Sequence, residues 1–227
     1  MSIWRWADRL PAVDESSRIY IGEGQTPLVR SRKLGPAWGL RHLYFKLESA
    51  NPTGSYKDRF ATMAISHMIQ NQDSRCIATS SGNTGAALAA CCAPSGIECH
   101  IAVVENAPRE KLRQMLCYGA KLFQIKGFGS DAEKSQMAMN YLQLAGSQPG
   151  NTLQISAFSK SPIGMAGVKT LGYELGLDSG VAFDHVFSPA GGGGLILAVA
   201  KAFEEMKEAG EIETAPAIHC VQPEGNN

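Results

Sequence analysis

A chain of 227 residues, 44% of them apolar, can bury a sizeable core in one domain or two small ones. Lys plus Arg and Asp plus Glu number 21 each, so the formal net charge is zero, and no basic run marks nucleic acid or an anionic membrane as a partner. No apolar stretch approaches a membrane span, the N-terminus lacks the basic and apolar regions of a secretory signal, and the six cysteines contain no Cys-x-x-Cys pair, so a reducing cytoplasm is expected. The cysteines read as small buried apolar residues and the five histidines show no ligand spacing, so no metal site is expected.

The chain opens with Trp4-Arg5-Trp6 and Leu10-Pro11, which read as packing residues, and then Gly22-Glu23-Gly24-Gln25-Thr26-Pro27-Leu28. A strand is predicted over His42–Leu47, followed by the turn Asn51-Pro52-Thr53-Gly54-Ser55. Pro fixes φ there, and Gly54 permits a backbone conformation that other residues resist. The turn delivers Lys57 to a helix predicted over Asp58–Gln70, where Phe60, Ala61, Ala64, Ile65 and Met68 recur at helical spacing. An amine at a helix start lies in a positive field that disfavours the ammonium and favours the nucleophilic neutral form. An isolated lysine in a loop is ordinarily only a surface residue; the motifs that follow change its meaning.

The strand Arg75–Ala78 leads into Thr79-Ser80-Ser81-Gly82-Asn83-Thr84-Gly85 and then an alanine-rich helix over Thr84–Cys92. Small hydroxyl residues and glycines between a strand and a helix present backbone N–H groups to an anion. Strands Cys99–Val104, Lys121–Ile125 and Leu153–Ile155 alternate with helices Arg109–Tyr118, Asp131–Leu144 and Ile163–Leu175. The loop motif then recurs: strand His185–Phe187, Pro189-Ala190 and four glycines, Gly191, Gly192, Gly193 and Gly194, opening a helix over Gly194–Ala209. Such a loop lets a phosphate lie against bare backbone at a helix N-terminus, although tight strand–helix turns also use glycine for packing. Strand Ile218–Val221 and the exit turn Gln222-Pro223-Glu224-Gly225 close the sequence. The βα alternation predicts doubly wound parallel sheets, without internal repeats.

The lysine motif, Ser81-Gly82-Asn83-Thr84-Gly85 with Asn83 placed 26 positions later (57 to 83), and the late tetraglycine loop resemble the fold-type II pyridoxal-phosphate enzymes. Threonine synthase, the threonine and serine dehydratases and cysteine synthase belong to that group. The N-terminal run from Trp4 to Leu28 looks like the opening of threonine synthases, so the resemblance extends from Trp4 to about Gly225. By this likeness Lys57 forms the Schiff base with pyridoxal 5'-phosphate and is the catalytic residue. Asn83 contacts the ring hydroxyl, and Gly191, Gly192, Gly193 and Gly194 cradle the cofactor phosphate. Ser80, Ser81, Gly82 and Thr84 form the loop that grips the substrate carboxylate.

The fold implied is α/β, with two parallel-sheet three-layer domains of the tryptophan synthase β-like kind. Residues 1–46 and 160–227 would form the larger, cofactor-phosphate domain, and residues 47–159 the smaller one carrying the carboxylate loop. The family continues beyond Gly225, so the large domain is expected to be incomplete: a fragment, or a shortened relative that compensates as a homodimer. The activity implied is elimination or replacement on a small L-amino acid, threonine-synthase-like. The alternatives are a threonine/serine dehydratase-like ammonia-lyase and a truncated, non-catalytic cofactor-binding remnant. Gly164, in Ser161-Pro162-Ile163-Gly164, stands where threonine synthases resembling this chain carry a phosphate-gripping arginine. A guanidinium grips phosphate bidentately, whereas Lys160 offers a flexible point charge, so O-phosphohomoserine is expected to be a poor substrate.

Overall fold

The structure is a computed structural model that describes residues 2–107 and 109–224. Gly225, the last residue of the expected exit turn, lies outside them. A 3-10 helix over Ile3–Arg9, capped by the Ser2 hydroxyl accepting from the Trp4 N–H, buries Ile3 and Trp6. Strand β1 (Leu28–Arg30) pairs antiparallel with β2 (Tyr44–Lys46), and the short helix α1 (Leu34–Ala37) lies between them. The strand expected over residues 42–47 is thus shorter, and its partner is antiparallel. The connection is too short for the helical crossover that parallel pairing needs.

The central sheet is wholly parallel. It contains β3 (Arg75–Thr79), β4 (Glu98–Val104), β5 (Lys121–Ile125) and β6 (Asn151–Gln154), in the order β5-β4-β3-β6. Helices α2 (Lys57–Gln70), α3 (Asn83–Ser95), α4 (Arg109–Cys117) and α5 (Ala132–Gly146) connect or flank these strands. Cys76, Ile77 and Ala78 on β3 are all buried, the pattern of a strand covered on both faces. Buried Ala86, Ala87 and Ala89 keep α3 thin enough to lie close against α2 and the sheet, with Phe60, Ile65, Met68 and Leu88 filling the space between. The chain winds from β3 outward through β4 to β5 and then returns to the other side of β3 with β6. That reversal places a topological switch point between the carboxyl ends of β3 and β6, where open α/β sheets form ligand crevices.

After β6 the chain is helical from Pro162 to Asp178, but its hydrogen bonding changes along the way. It passes from α6 (Pro162–Ala166) through a 3-10 turn (Gly167–Lys169) to α7 (Thr170–Tyr173) and a π turn (Glu174–Asp178). The sequence predicts one unbroken helix there. Glycines give it close contacts: a β-carbon at Gly164 would lie 2.7 Å from Phe60 of α2, and one at Gly167 would collide with the Arg59 carbonyl. Strands β7 (His185–Pro189) and β8 (Ala217–Val221) pair in parallel around α8 (Gly194–Glu208). Val199, Ala202, Phe203 and Met206 of α8 pack with Trp6, Leu171 and Tyr173 in a second apolar cluster. Among the described residues, no helix is long and apolar enough to cross a membrane.

Candidate active site

Lys57 is the first residue of α2, and the turn before it is held from both sides. Gly54 adopts φ +85°, the left-handed conformation its sequence position predicts. The Asp58 carboxylate accepts from the Thr53 backbone N–H at 2.7 Å and from the Thr53 hydroxyl. Asn51 donates to the Glu48 carbonyl and carboxylate and accepts from the Gly24 N–H at 3.0 Å. Behind the lysine, the fully buried Arg59 guanidinium bridges Glu48 and Glu174, 2.8 and 2.5 Å away, and donates to Thr170. Lys46 meets Glu174 at 2.5 Å, and the Gln25 N–H donates to the same carboxylate. The helix start is therefore locked to the Gly22–Leu28 segment and to the Pro162–Asp178 run.

The Lys57 amine donates to the Ser156 hydroxyl at 2.7 Å and lies 4.5 Å from the centre of the Tyr56 ring. Burial lowers its pKa from the ordinary value to about 8. Sequence reasoning attributes a shift in this direction to the helix field; the dominant cause is removal of the amine from water. Burial likewise raises the Asp58 carboxyl to about 6, against the lowering effect of its Thr53 hydrogen bonds.

Ser156 is the hub that the sequence does not announce. Its hydroxyl also lies 2.8 Å from Thr84 Oγ1, and its carbonyl lies 3.4 Å from where a β-carbon on Gly194 would stand. Lys57, the loop at the start of α3 and the tetraglycine loop thus converge around one serine. Ser156 follows β6 at the switch point. A lone serine after a short strand carries no motif, and only the strand order brings it opposite Lys57.

The other predicted residues are placed as follows. Asn83 is the first residue of α3. The Ser80 hydroxyl accepts from the Gly82 N–H at 3.2 Å, and the Ser81 hydroxyl accepts from the Val104 N–H at 3.0 Å. Those two hydroxyls shape the loop and fasten it to the end of β4, whereas Thr84 faces Ser156. Gly85 packs where a β-carbon would lie 2.7 Å from Met115, so it is a packing glycine. Gly193, at φ +72°, caps the N-terminus of α8. β-Carbons at Gly82, Gly191, Gly192 and Gly193 would meet no atom of the described residues within 4 Å. Gln154 Oε1, two residues before Ser156, is buried without a hydrogen-bond partner among the described residues.

Gly164 is a close-approach position: its missing side chain leaves space that Phe60 and Ala64 of α2 occupy. Lys160 is exposed.

These groups fit a phosphorylated aldehyde. Bare backbone at the N-terminus of a 15-residue helix suits an anion, and a buried amine with lowered pKa suits a carbonyl carbon. A family model described as pyridoxal-phosphate dependent enzyme matches residues 19–227. The chain belongs to that family. Its cofactor is accordingly pyridoxal 5'-phosphate, and its fold is the fold-type II architecture. Among curated relatives, the threonine synthase of Methanocaldococcus jannaschii is 35% identical over 99% of this chain and 54% of its own length. That of Halalkalibacterium halodurans is 34% identical over 92% of this chain and 58% of its own. The chain therefore spans little more than half the length of these relatives. Among solved structures, maize serine racemase superposes with TM-score 0.74 at 28% identity, covering 89% of this chain and 57% of the other. The threonine deaminase from T.th. gives a TM-score of 0.69 at 27% identity, covering 88% and 60%.

Proposed function

We propose that this member of the pyridoxal-phosphate family carries its cofactor on Lys57 and acts by elimination or replacement on a small L-amino acid. The observation that carries the reading is the Lys57 amine, lowered to about 8 by burial and held by Ser156 at the switch point. At neutral pH about a tenth of such an amine is free base, roughly 300-fold more than at an ordinary lysine. The backbone N–H groups at Gly191, Gly192, Gly193 and Gly194 hold the phosphate. Asn83 faces the ring hydroxyl, while Thr84 and the loop Ser80-Ser81-Gly82 hold the substrate carboxylate. Bound cofactor supplies the electron sink that stabilises charge at the substrate's α-carbon. Lys57 Nζ, oriented by Ser156 Oγ, takes the α-proton, and Tyr56 and the buried flank of α2 limit water at that nitrogen.

Threonine synthase-like chemistry is the leading reading because the curated relatives at 32–35% identity carry that name. A dehydratase-like ammonia-lyase is the second, favoured by the likeness to threonine deaminase. O-phosphohomoserine is the poorer substrate in our proposal, since position 164 faces Phe60 and supplies no guanidinium. The division into residues 1–46 with 160–227 and 47–159 is part of the same reading. It is supported by the four-stranded sheet lying within 75–154 and the β7–β8 pair within 185–221. A homodimer in a reducing cytoplasm completes it. The test is borohydride reduction of the protein saturated with pyridoxal phosphate, followed by peptide mass spectrometry. A pyridoxyl group on Lys57 is expected; a label elsewhere, or none, refutes the assignment.

A further inference from the structure

We infer that Cys76, Cys92 and Cys99 form a site for one soft divalent d10 metal ion of the zinc class, bound by three thiolates at the amino-terminal edge of the central sheet. Cys76 of β3 and Cys99 of β4 are direct register partners, and Cys92 reaches them from α3. The three sulfurs lie within 4.8 Å of one another. A trigonal arrangement with metal–sulfur bonds of about 2.3 Å sets its sulfurs about 4.0 Å apart. The cluster therefore closes on a metal by shifts of less than about 1 Å, the scale of a side-chain adjustment. No Cys-x-x-Cys spacing announces it, because the ligands come from two strands and a helix.

The donor set decides the kind of ion. Three sulfurs, with no carboxylate or imidazole among them, suit a soft or borderline cation and exclude magnesium or calcium. Charge decides the valence. Binding releases three thiol protons to solvent as three metal–sulfur bonds form, so a dication leaves one net negative charge and a monocation leaves two. The smaller buried charge is the less costly. A cavity of about 280 Å³ runs to the cluster, lined by Cys92, Cys99, Gly96, Glu98, Tyr118 and Lys121. It gives the ion a route from solvent and space for a water as fourth ligand. Cys91 is outside the set: its sulfur lies 3.8 Å from the Thr62 hydroxyl of α2. The site sits where β3 and β4 begin, while Lys57 and Ser156 lie at the carboxyl ends of the sheet. Its role is to fasten β3, β4 and α3 together, and it does not depend on the cofactor reading.

The experiment is an anaerobic titration of the reduced 227-residue chain with Cd2+ and Zn2+, in a Cys117→Ser/Cys220→Ser background that removes the two exposed thiols. One equivalent of Cd2+ is expected to bind with a thiolate-to-metal charge-transfer band, Zn2+ to compete for it, and the melting temperature to rise with metal concentration. X-ray absorption at the cadmium edge should count three sulfur ligands. Cys76→Ser, Cys92→Ser and Cys99→Ser should each remove stoichiometric binding, and Cys91→Ser should keep it. Absent binding, a shell with fewer than three sulfurs, or a band that survives all three substitutions overturns the proposal. The ligand count is made on the chain with all three thiols intact, so it decides the matter even where a core substitution prevents folding.

Discussion

Replacing Ser156 by alanine tests the geometry at its centre, because one oxygen links Lys57 to Thr84. The Ser156 hydroxyl accepts from the Lys57 amine at 2.7 Å, and the protonated form of that amine gains most from an acceptor. A hydrogen bond to a charged group contributes about 1.5–3 kcal/mol, and Lys57 and Ser156 are only half-buried, so about half of that is retained after screening. At about 1.36 kcal/mol per pKa unit, the loss should lower the amine by about 0.5–1 unit from its value of about 8. The sign follows from the chemistry: burial already disfavours the ammonium, and Ser156→Ala removes a partner that stabilises it. The assay is the pH dependence of Lys57 acylation by a small reagent in cofactor-free protein, read by peptide mass spectrometry. Labelling should rise about tenfold per unit up to a midpoint near 8 in the parent chain, about 7–7.5 in Ser156→Ala, and near 8 again in Ser156→Thr. An unchanged or raised midpoint in a folded Ser156→Ala protein would refute the idea that this hydroxyl governs the lysine.

Gly192→Val should leave the melting temperature nearly unchanged, since its β-carbon meets no atom of the described residues, yet weaken pyridoxal phosphate binding at least about tenfold through loss of one charge-assisted backbone hydrogen bond; equal affinity in equilibrium dialysis would place the phosphate elsewhere. Gly193→Val should do the same and also lose about 1–2 kcal/mol, because φ +72° is costly for a residue with a β-carbon. Arg59→Met leaves Glu48 and Glu174 buried against each other, a loss of about 3–5 kcal/mol that should lower the melting temperature by roughly 10 °C. Gly164→Arg should destabilise the protein without making O-phosphohomoserine a better substrate, because the new side chain meets Phe60; a gain in turnover efficiency for that substrate would show that position 164 faces the pocket after all.

The main architecture is legible because strands buried on both faces read as apolar runs and the helices between them follow a 3.6-residue period. Arg75–Thr79 and Glu98–Val104 lie within a residue or two of their predicted bounds, as does α2. What escapes sequence reasoning depends on tertiary order. The three-residue pair β1–β2 is too short for an alternating pattern, and its strands are set by where Gln25 and Lys46 meet Glu174. Gly164 and Gly167 are close-approach positions against α2, a fact fixed by which helix lies opposite and invisible in the residues themselves. Ser156 becomes visible only with β6 placed beside β3. Lys57 and the two glycine loops are legible because turn chemistry is local: the residues that shape a strand–turn–helix junction are the residues of that junction.

The Lys57-Asp58-Arg59 run shows how one helix start can serve three purposes. Lys57 faces Ser156 at the sheet's carboxyl edge, with its amine held short of its proton by burial. Asp58 turns back to Thr53 and pins the turn that aims the lysine. Arg59 points the other way, into the carboxylates of Glu48 and Glu174, and so ties α2 both to the segment before it and to the distant Pro162–Asp178 run. A buried ion pair adds little net stability, since desolvation offsets most of its Coulomb attraction. What this one adds is position. With Gln25 and Lys46 bound to the same Glu174 carboxylate, rotation of α2 would strand several charges at once. The Gly22–Leu28 segment, which in the sequence is only a family mark, acts here as a brace. Glu23, fully buried, accepts from the Ser2 hydroxyl and the Ile21 N–H, so the chain's first residues hold the segment that holds Glu174. The precision of the Lys57–Ser156 contact thus rests on residues well outside that contact, and loosening any of them should blur the lysine's pKa before it unfolds the protein.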